Sequence, residues 1–250
     1  MLSVLLPALS EVRRSGKEVR CIANMGKISD ASAVYAAADP SELGTPVHPL
    51  MGQAVGVLGE YEWGGKSGVG EPMTGSDPLN SRWGTQDGRG PGTRKLNDVL
   101  YKGGFIDTRN APGPNQINWL QDTKLELDVF RCPGDYGYTG THRAAWRASE
   151  LTSYDHYGNS YAASTLWSSV SGDNCTLIGF SAFWKPVSRV PAPSRTLRYT
   201  ENSGHFAFVQ NWGSNGCNGY SAVEVDDVIR GWHGSPFTFV AGYVDGHVAR

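Results

Sequence analysis

The chain has 250 residues, enough to bury a substantial core as one large domain or two ordinary ones. Lys and Arg number 22 against 24 Asp and Glu, for a net charge of -2 with no polybasic tract, which argues against nucleic acid as a partner because phosphate binding needs concentrated positive charge. The 32 glycines and 14 prolines come with 8 tryptophans and 11 tyrosines, the composition of long loops pinned by aromatic side chains rather than of a disordered chain.

Residues 1–37, MLSVLLPALSEVRRSGKEVRCIANMGKISDASAVYAA, predict one long helix. Leu5, Ala8, Val12, Val19, Ile22 and Ala23 recur at three- and four-residue steps, and Met25, Ile28 and Tyr35 extend that side with some drift. The expected buried spine therefore runs through Val12, Val19, Ile22 and Tyr35. Pro7 removes one backbone donor and should bend the first turns. At full length the rod is about 55 Å long, so it either crosses a large body or projects to meet something else. The apolar start, MLSVLLPAL, is too short to span a bilayer, which takes about twenty residues. It also lacks the basic start and cleavage site of a secretory signal.

Asp39-Pro40, Gly44, Pro46 and Pro49 end the helix. Residues 54–92 show no clear period and are expected to form a long ordered loop. RKLNDVLYKGG (94–104) predicts a short helical turn with Leu96, Val99 and Leu100 on one face and Gly103 at its exit. In KLELDVFRCP (124–133), Leu125, Leu127 and Val129 alternate with Glu126 and Asp128, the period of a half-exposed strand. TLIGFSAFW (176–184), SRTLRYTENS (194–203) and HFAFVQNW (205–212) read as further strands. Residues 223–234 are ambiguous and end in a turn presenting Arg230 and His233. SPFTFVAGYVDGHVAR (235–250) predicts a closing hairpin whose first arm begins at Phe237 and whose tight turn is Asp245-Gly246. The class is α+β: a long N-terminal helix (1–37) packed on an antiparallel sheet, in a head of residues 38–250 with long ordered loops.

The chemistry-bearing residues are sparse. Cys21, Cys132, Cys175 and Cys217 show no CxxC spacing, which argues against a structural zinc site. Four cysteines allow two disulfides in three pairings, or four buried thiols, and spacing does not choose. No G-x-S-x-G, H-E-x-x-H or phosphate-loop motif occurs, and GGKSG at 64–68 lacks the leading glycine and the preceding strand. The chain is therefore not expected to be an enzyme or to carry a catalytic, cofactor or metal site. His233 and Asp245 are expected to tie the hairpin to Arg230 by hydrogen bonds, with Gly246 in the turn. Glu224, Asp226 and Asp227 could supply part of a calcium shell, which needs six to eight oxygens, but no EF-hand spacing is present and a solvated acidic turn is the simpler reading. Asn174-Cys175-Thr176 matches a glycosylation sequon. Trp83, Trp119, Trp146, Trp167, Trp184, Trp212 and Trp232 either pin loops or form an open aromatic shelf. The shelf is the alternative function: an exported or surface-associated module binding glycan or protein.

Several pieces, in order, resemble one family. LLPALSEVRRSGKEVRCIANMGKISDASAVYAAAD resembles the pilin helix beyond its membrane part. RKLNDVL, VFRCPGD, YGNSYAAST and PSRTLRYTE resemble its successive head motifs, and His233 followed by DGHV at 245–248 resembles its close. Together they resemble the prepilin-like proteins of Planctomycetes and related bacteria that carry the prepilin-type processing-associated His-x9-Asp-Gly domain. The matches run from residue 2 to residue 248, although eleven residues (234–244) separate His233 from Asp245 rather than nine, and Ser164 stands where the family often has Asn.

The resemblance implies a pilin-like fold and a structural role, as a pseudopilin or minor pilin of a type II secretion or type IV pilus-like system. It implies an inner-membrane anchor, a periplasmic head, maturation by a prepilin peptidase and assembly with other pseudopilin subunits through the N-terminal helix. The chain starts inside the family's apolar stretch, so this form is expected to be soluble, with the anchor supplied by residues upstream. Cys21 and Cys132 stand at family-like positions and are implied as the first disulfide pair, with Cys175 and Cys217 as the second by default.

Overall fold

The computed structural model describes residues 2–50, 59–69, 83–105, 121–139, 150–164, 181–205 and 230–250. Helix α1 spans Leu2–Ala38 with Pro7 inside it. Short helices α2 (Leu96–Leu100) and α3 (Ser153–Tyr157) follow. Strands β1 (Tyr161–Ala163), β2 (Leu197–Glu201), β3 (Ala241–Tyr243) and β4 (Val248–Ala249) form an antiparallel sheet in the order β1-β2-β3-β4. The α+β class holds, with the helix packed on the sheet.

The helix buries only the later part of its expected apolar side. Leu6 through Lys17 are all exposed, and Val12 and Val19 are 68% and 66% exposed. The head instead grips the second half of α1, where Cys21, Met25 and Ile28 are fully buried and Ala31 nearly so. Ile22 and Tyr35 sit at the edge of this core. Polar side chains share the gripped face. Asn24 Nδ2 donates to the carbonyls of Asp128 (2.8 Å) and Arg131 (3.0 Å), and Ser32 Oγ lies 2.9 Å from the Tyr199 hydroxyl. An apolar count underrates this face because Asn24, Ser29 and Ser32 are buried in it. Around the helix end cluster Trp63, Leu96, Phe130, Tyr154, Tyr161 and Tyr199.

One expected strand needs correction, and two more are described only in part. Residues 124–133 form no strand; the backbone makes a 3-10 turn at Asp128–Phe130. Leu125, Leu127 and Val129 are more buried than Glu126 and Asp128, so the alternation in burial is real. Its polar groups are met by side chains, however: the Tyr154 hydroxyl accepts from Leu127 N and donates to the Leu125 carbonyl, both at 2.7 Å. Residues 181–184 are bends and turns rather than strand, with Trp184 at φ 61; 176–180 lie outside the described residues. Of 205–212 only His205 is described, and it is helical. The 194–203 expectation holds for Leu197–Glu201, after which the backbone turns helical.

The closing hairpin exists but its first arm starts at Ala241, not Phe237. Residues 230–236 close on themselves through an Arg230–Pro236 bridge, and Phe237 takes φ 50 and is 58% exposed. The turn is where expected, with Gly246 at φ 96.

Loops are fastened by buried polar side chains. Arg94 is fully buried and donates to the carbonyls of Arg89 (2.9 Å), Gly64 (3.0 Å), Tyr157 (3.1 Å) and Trp83 (2.8 Å). Asn97 accepts from Gly65 N and donates to the Gly65 and Pro91 carbonyls. Asp135 accepts from the backbone of Gly137, Ser153 and Tyr154 and from Ser160 Oγ. Burial pushes its pKa up against those hydrogen bonds.

GGKSG is part of this fastening rather than a phosphate cradle. Lys66 Nζ is held at 2.6 Å by both the Thr123 carbonyl and Asp155 Oδ1, over the Tyr154 ring. Lys66 N donates to the Gly158 carbonyl at 3.0 Å. Gly158 caps α3 at φ 83, and a Cβ there would overlap the Lys66 carbonyl oxygen. Gly158→Ala is therefore expected to cost at least about 3 kcal/mol, from left-handed strain plus a backbone clash. Urea denaturation checks this, and a loss below about 1 kcal/mol would contradict the close contact.

Candidate functional site

Two features stand out: a buried cluster against the middle of α1 and an uncovered side of α1 itself.

The cluster joins four segments. Cys21 comes from α1, Cys132 from the turn after Phe130, Glu201 from the end of β2 and His233 from the 230–236 loop. Cys21 and Cys132 are disulfide-bonded, their Cα atoms 5.1 Å apart, so the first implied pair is present. Cys175 and Cys217 lie outside the described residues. His233 Nε2 is 2.7 Å from Glu201 Oε1 and 3.5 Å from Cys132 Sγ. Glu201 Oε1 is 3.1 Å from Cys21 Sγ and 3.7 Å from Cys132 Sγ. The Tyr161 hydroxyl adds a contact of 3.2 Å to Cys21 Sγ. β-sheet register explains one side of this, since Glu201 pairs directly with Tyr161. All four side chains are buried, and one donor atom from each lies within 4.8 Å of the others.

The expected tie of His233 and Asp245 to Arg230 does not form. His233 turns inward to Glu201. Asp245 turns outward, where its Oδ1 meets His247 Nδ1 at 2.6 Å and accepts from His247 N. Arg230 is exposed and contributes its backbone to the Pro236 bridge. The physical reason is the hairpin's short arms: Asp245 sits in the turn beyond β3, while His233 lies in a separate loop below the sheet's other end. Glu201 is not among the site residues expected from the sequence, yet its carboxylate touches all three other members of the cluster. Its only signal was its place at the end of the PSRTLRYTE match. The acidic group Glu224, Asp226 and Asp227 and the sequon at Asn174 fall outside the described residues, as do Trp119, Trp146, Trp167 and Trp212. Trp63, Trp83 and Trp232 are buried; Trp184 is 53% exposed.

The uncovered side of α1 is defined by helical arithmetic. Val12 and Cys21, Val19 and Ile28, and Met25 and Val34 are each nine residues apart, about two and a half turns, so each valine points opposite a buried residue. Val34 is 59% and Leu9 53% exposed. Gly16 and Gly26 leave open space along the rod, with nothing near a built Cβ. Where the head grips it, α1 has two faces, one in the core and the other carrying Val19 and Val34 into solvent, and Leu9 and Val12 continue that outer line along the half that is exposed all round. Among the described residues no helix is long and apolar enough to cross a membrane. No family model, curated protein or solved structure matches the chain.

Proposed function

We propose that the chain is a structural, pseudopilin-like subunit that assembles with other pilin-like subunits through the outer face of α1. The observation that carries this is the two-faced helix. An apolar line on a rod whose second half already has a core on its other side calls for a second partner, and rod-to-rod packing covers it in one step. The resemblance of the motifs along the chain supports the same reading, with the head on the periplasmic side of the inner membrane and a prepilin peptidase acting on the precursor. The disulfide supports an oxidising compartment. The chain acts by assembly, not by catalysis: the head covers the rod and presents its loops.

The test is assembly in the native host. Val12→Asp and Val19→Asp are expected to abolish co-assembly while changing head stability by less than about 1 kcal/mol, since both positions are exposed. Cysteines placed at Val12 or Val19 should cross-link to neighbouring subunits, and one at Lys17 should not. Undiminished assembly of the aspartate variants would refute the proposal, as would cross-links independent of helix face.

A further inference from the structure

We propose that the Cys21–Cys132 disulfide and a bound zinc ion are alternative fastenings of the same four segments: in the dithiol form, Cys21, Cys132, Glu201 and His233 are the ligands of a tetrahedral Zn²⁺ site. The absence of CxxC spacing excludes only local zinc motifs. Here the ligands arrive from four places along the chain.

Three observations carry this. First, the donor set suits zinc, which takes thiolate, imidazole and carboxylate in four-coordinate sites. Second, the spacing fits. Zinc–ligand bonds of about 2.0–2.3 Å place tetrahedral donors about 3.3–3.8 Å apart. The Cys132–His233 contact of 3.5 Å and the Cys132–Glu201 contact of 3.7 Å fall in that range, and Cys21–Glu201 at 3.1 Å lies just under it. The His233–Glu201 contact, at 2.7 Å, must open, and the two sulfurs, bonded to each other in the disulfide, must move apart once reduced. Third, the polar groups of the site are underserved. Glu201 is 0% exposed, and among the described residues its Oε2 has no hydrogen-bond partner. His233 is its one ion-pair partner there. Disulfide sulfurs carry no proton, so their contacts with Glu201 Oε1 are not hydrogen bonds. Among the described residues the buried carboxyl group therefore meets His233 at Oε1 and no hydrogen-bond partner at Oε2, a shortfall that a bound metal ion would make good.

The chemistry balances. A small dithiol reductant gives two electrons and two protons to the Cys21–Cys132 bond and itself becomes a disulfide. Zn²⁺ then forms two bonds to sulfur, one to Glu201 oxygen and one to His233 Nε2; the two thiol protons pass to solvent, and the proton held between Nε2 and Glu201 Oε1 moves to Nδ1 or to solvent. Metal affinity therefore rises with pH. Because the site is buried, loading accompanies folding rather than following it.

The experiment refolds the reduced whole chain with Co²⁺ and then Zn²⁺. One metal per chain is expected, with thiolate-to-cobalt charge-transfer and tetrahedral ligand-field bands that zinc displaces. X-ray absorption of the zinc form of the unsubstituted chain should show two sulfurs near 2.3 Å and two nitrogen or oxygen ligands near 2.0–2.1 Å. The oxidised chain should not take up the metal. His233→Ala should weaken binding at least tenfold, and Cys175→Ser with Cys217→Ser should leave it unchanged. No uptake by the reduced chain, a shell with four sulfurs or none, equal uptake by the oxidised chain, or a folded His233→Ala variant with undiminished affinity would each overturn the proposal. None of these outcomes bears on helix-mediated assembly.

Discussion

Arg94→Met is expected to leave the chain without a cooperative fold, or to cost it more than about 5 kcal/mol. The guanidinium is fully buried and sends its donors in three directions, to carbonyls in the 59–69 segment, the 83–90 segment and the end of α3. Hydrogen bonds from a charged donor contribute roughly 1.5–3 kcal/mol each, and a buried acceptor left unpaired costs about 1–3 kcal/mol. These do not add, since their sum would rival the whole stability of a domain, about 5–15 kcal/mol. They do mean that the substitution strands several carbonyls at once. It also strips the counter-charge from Glu62, which is buried and accepts from Gly59 N and Tyr61 N. Burial raises the Glu62 pKa, opposed by the Gly59 hydrogen bond and by Arg94. Burial lowers that of Arg94 to about 10, opposed by Glu62, so the guanidinium is charged at neutral pH. Arg94→Lys keeps the charge but not the fork, and should lose most of the stability too. Circular dichroism and urea titration check both. A cooperative transition within about 2 kcal/mol of the unsubstituted chain would show that the loops hold without the clamp.

The sequence was informative where one period or one turn chemistry governs a stretch. The long helix, the 94–104 helical turn and the Asp245-Gly246 turn could be read because periodicity or positive-φ preference acts locally. It misled where the buried partner is polar. Along α1 the expected side holds at Met25 and Ile28 but not at Val12 and Val19, while the core also takes Cys21, Asn24 and Ser32, because Asp128, Arg131 and Tyr199 offer hydrogen-bond partners to Asn24 and Ser32 there. At 124–133 an alternating pattern satisfied by one tyrosine hydroxyl looks the same as one satisfied by a neighbouring strand. The His233–Glu201 contact spans β2 to the 230–236 loop, and no local pattern encodes it. Arg94 likewise carries no pattern of its own: a lone arginine before Lys95 and Leu96 reads as a solvated charge until the three loops around it are placed.

Breaking the Cys21–Cys132 bond is expected to lower stability by about 5 kcal/mol when metal is withheld by a chelator. The bond closes a loop of 111 residues, and in the chain-entropy account a loop of that size restricts the unfolded chain by about that much at 25 °C. Nothing in the folded head need change, because Cys21 and Cys132 are each buried by neighbours that stay in place: Met25, Phe130, Tyr161 and Trp232 belong to the same core. The loss should therefore arise in the unfolded state, and that assignment has its own signature. A cross-linked unfolded chain exposes less surface, so reduction should raise the denaturant slope m as it lowers the midpoint. Denaturation of the oxidised and reduced chains side by side, with peptide mapping to confirm the Cys21–Cys132 link in the first, reads both quantities. A lowered midpoint at constant m would move the effect into the folded state, where reduction disturbs the contacts of Glu201 and His233. Equal midpoints would mean that the helix is held to the head by packing and by Asn24 and Ser32 alone, and that the covalent tie adds nothing to a core already closed.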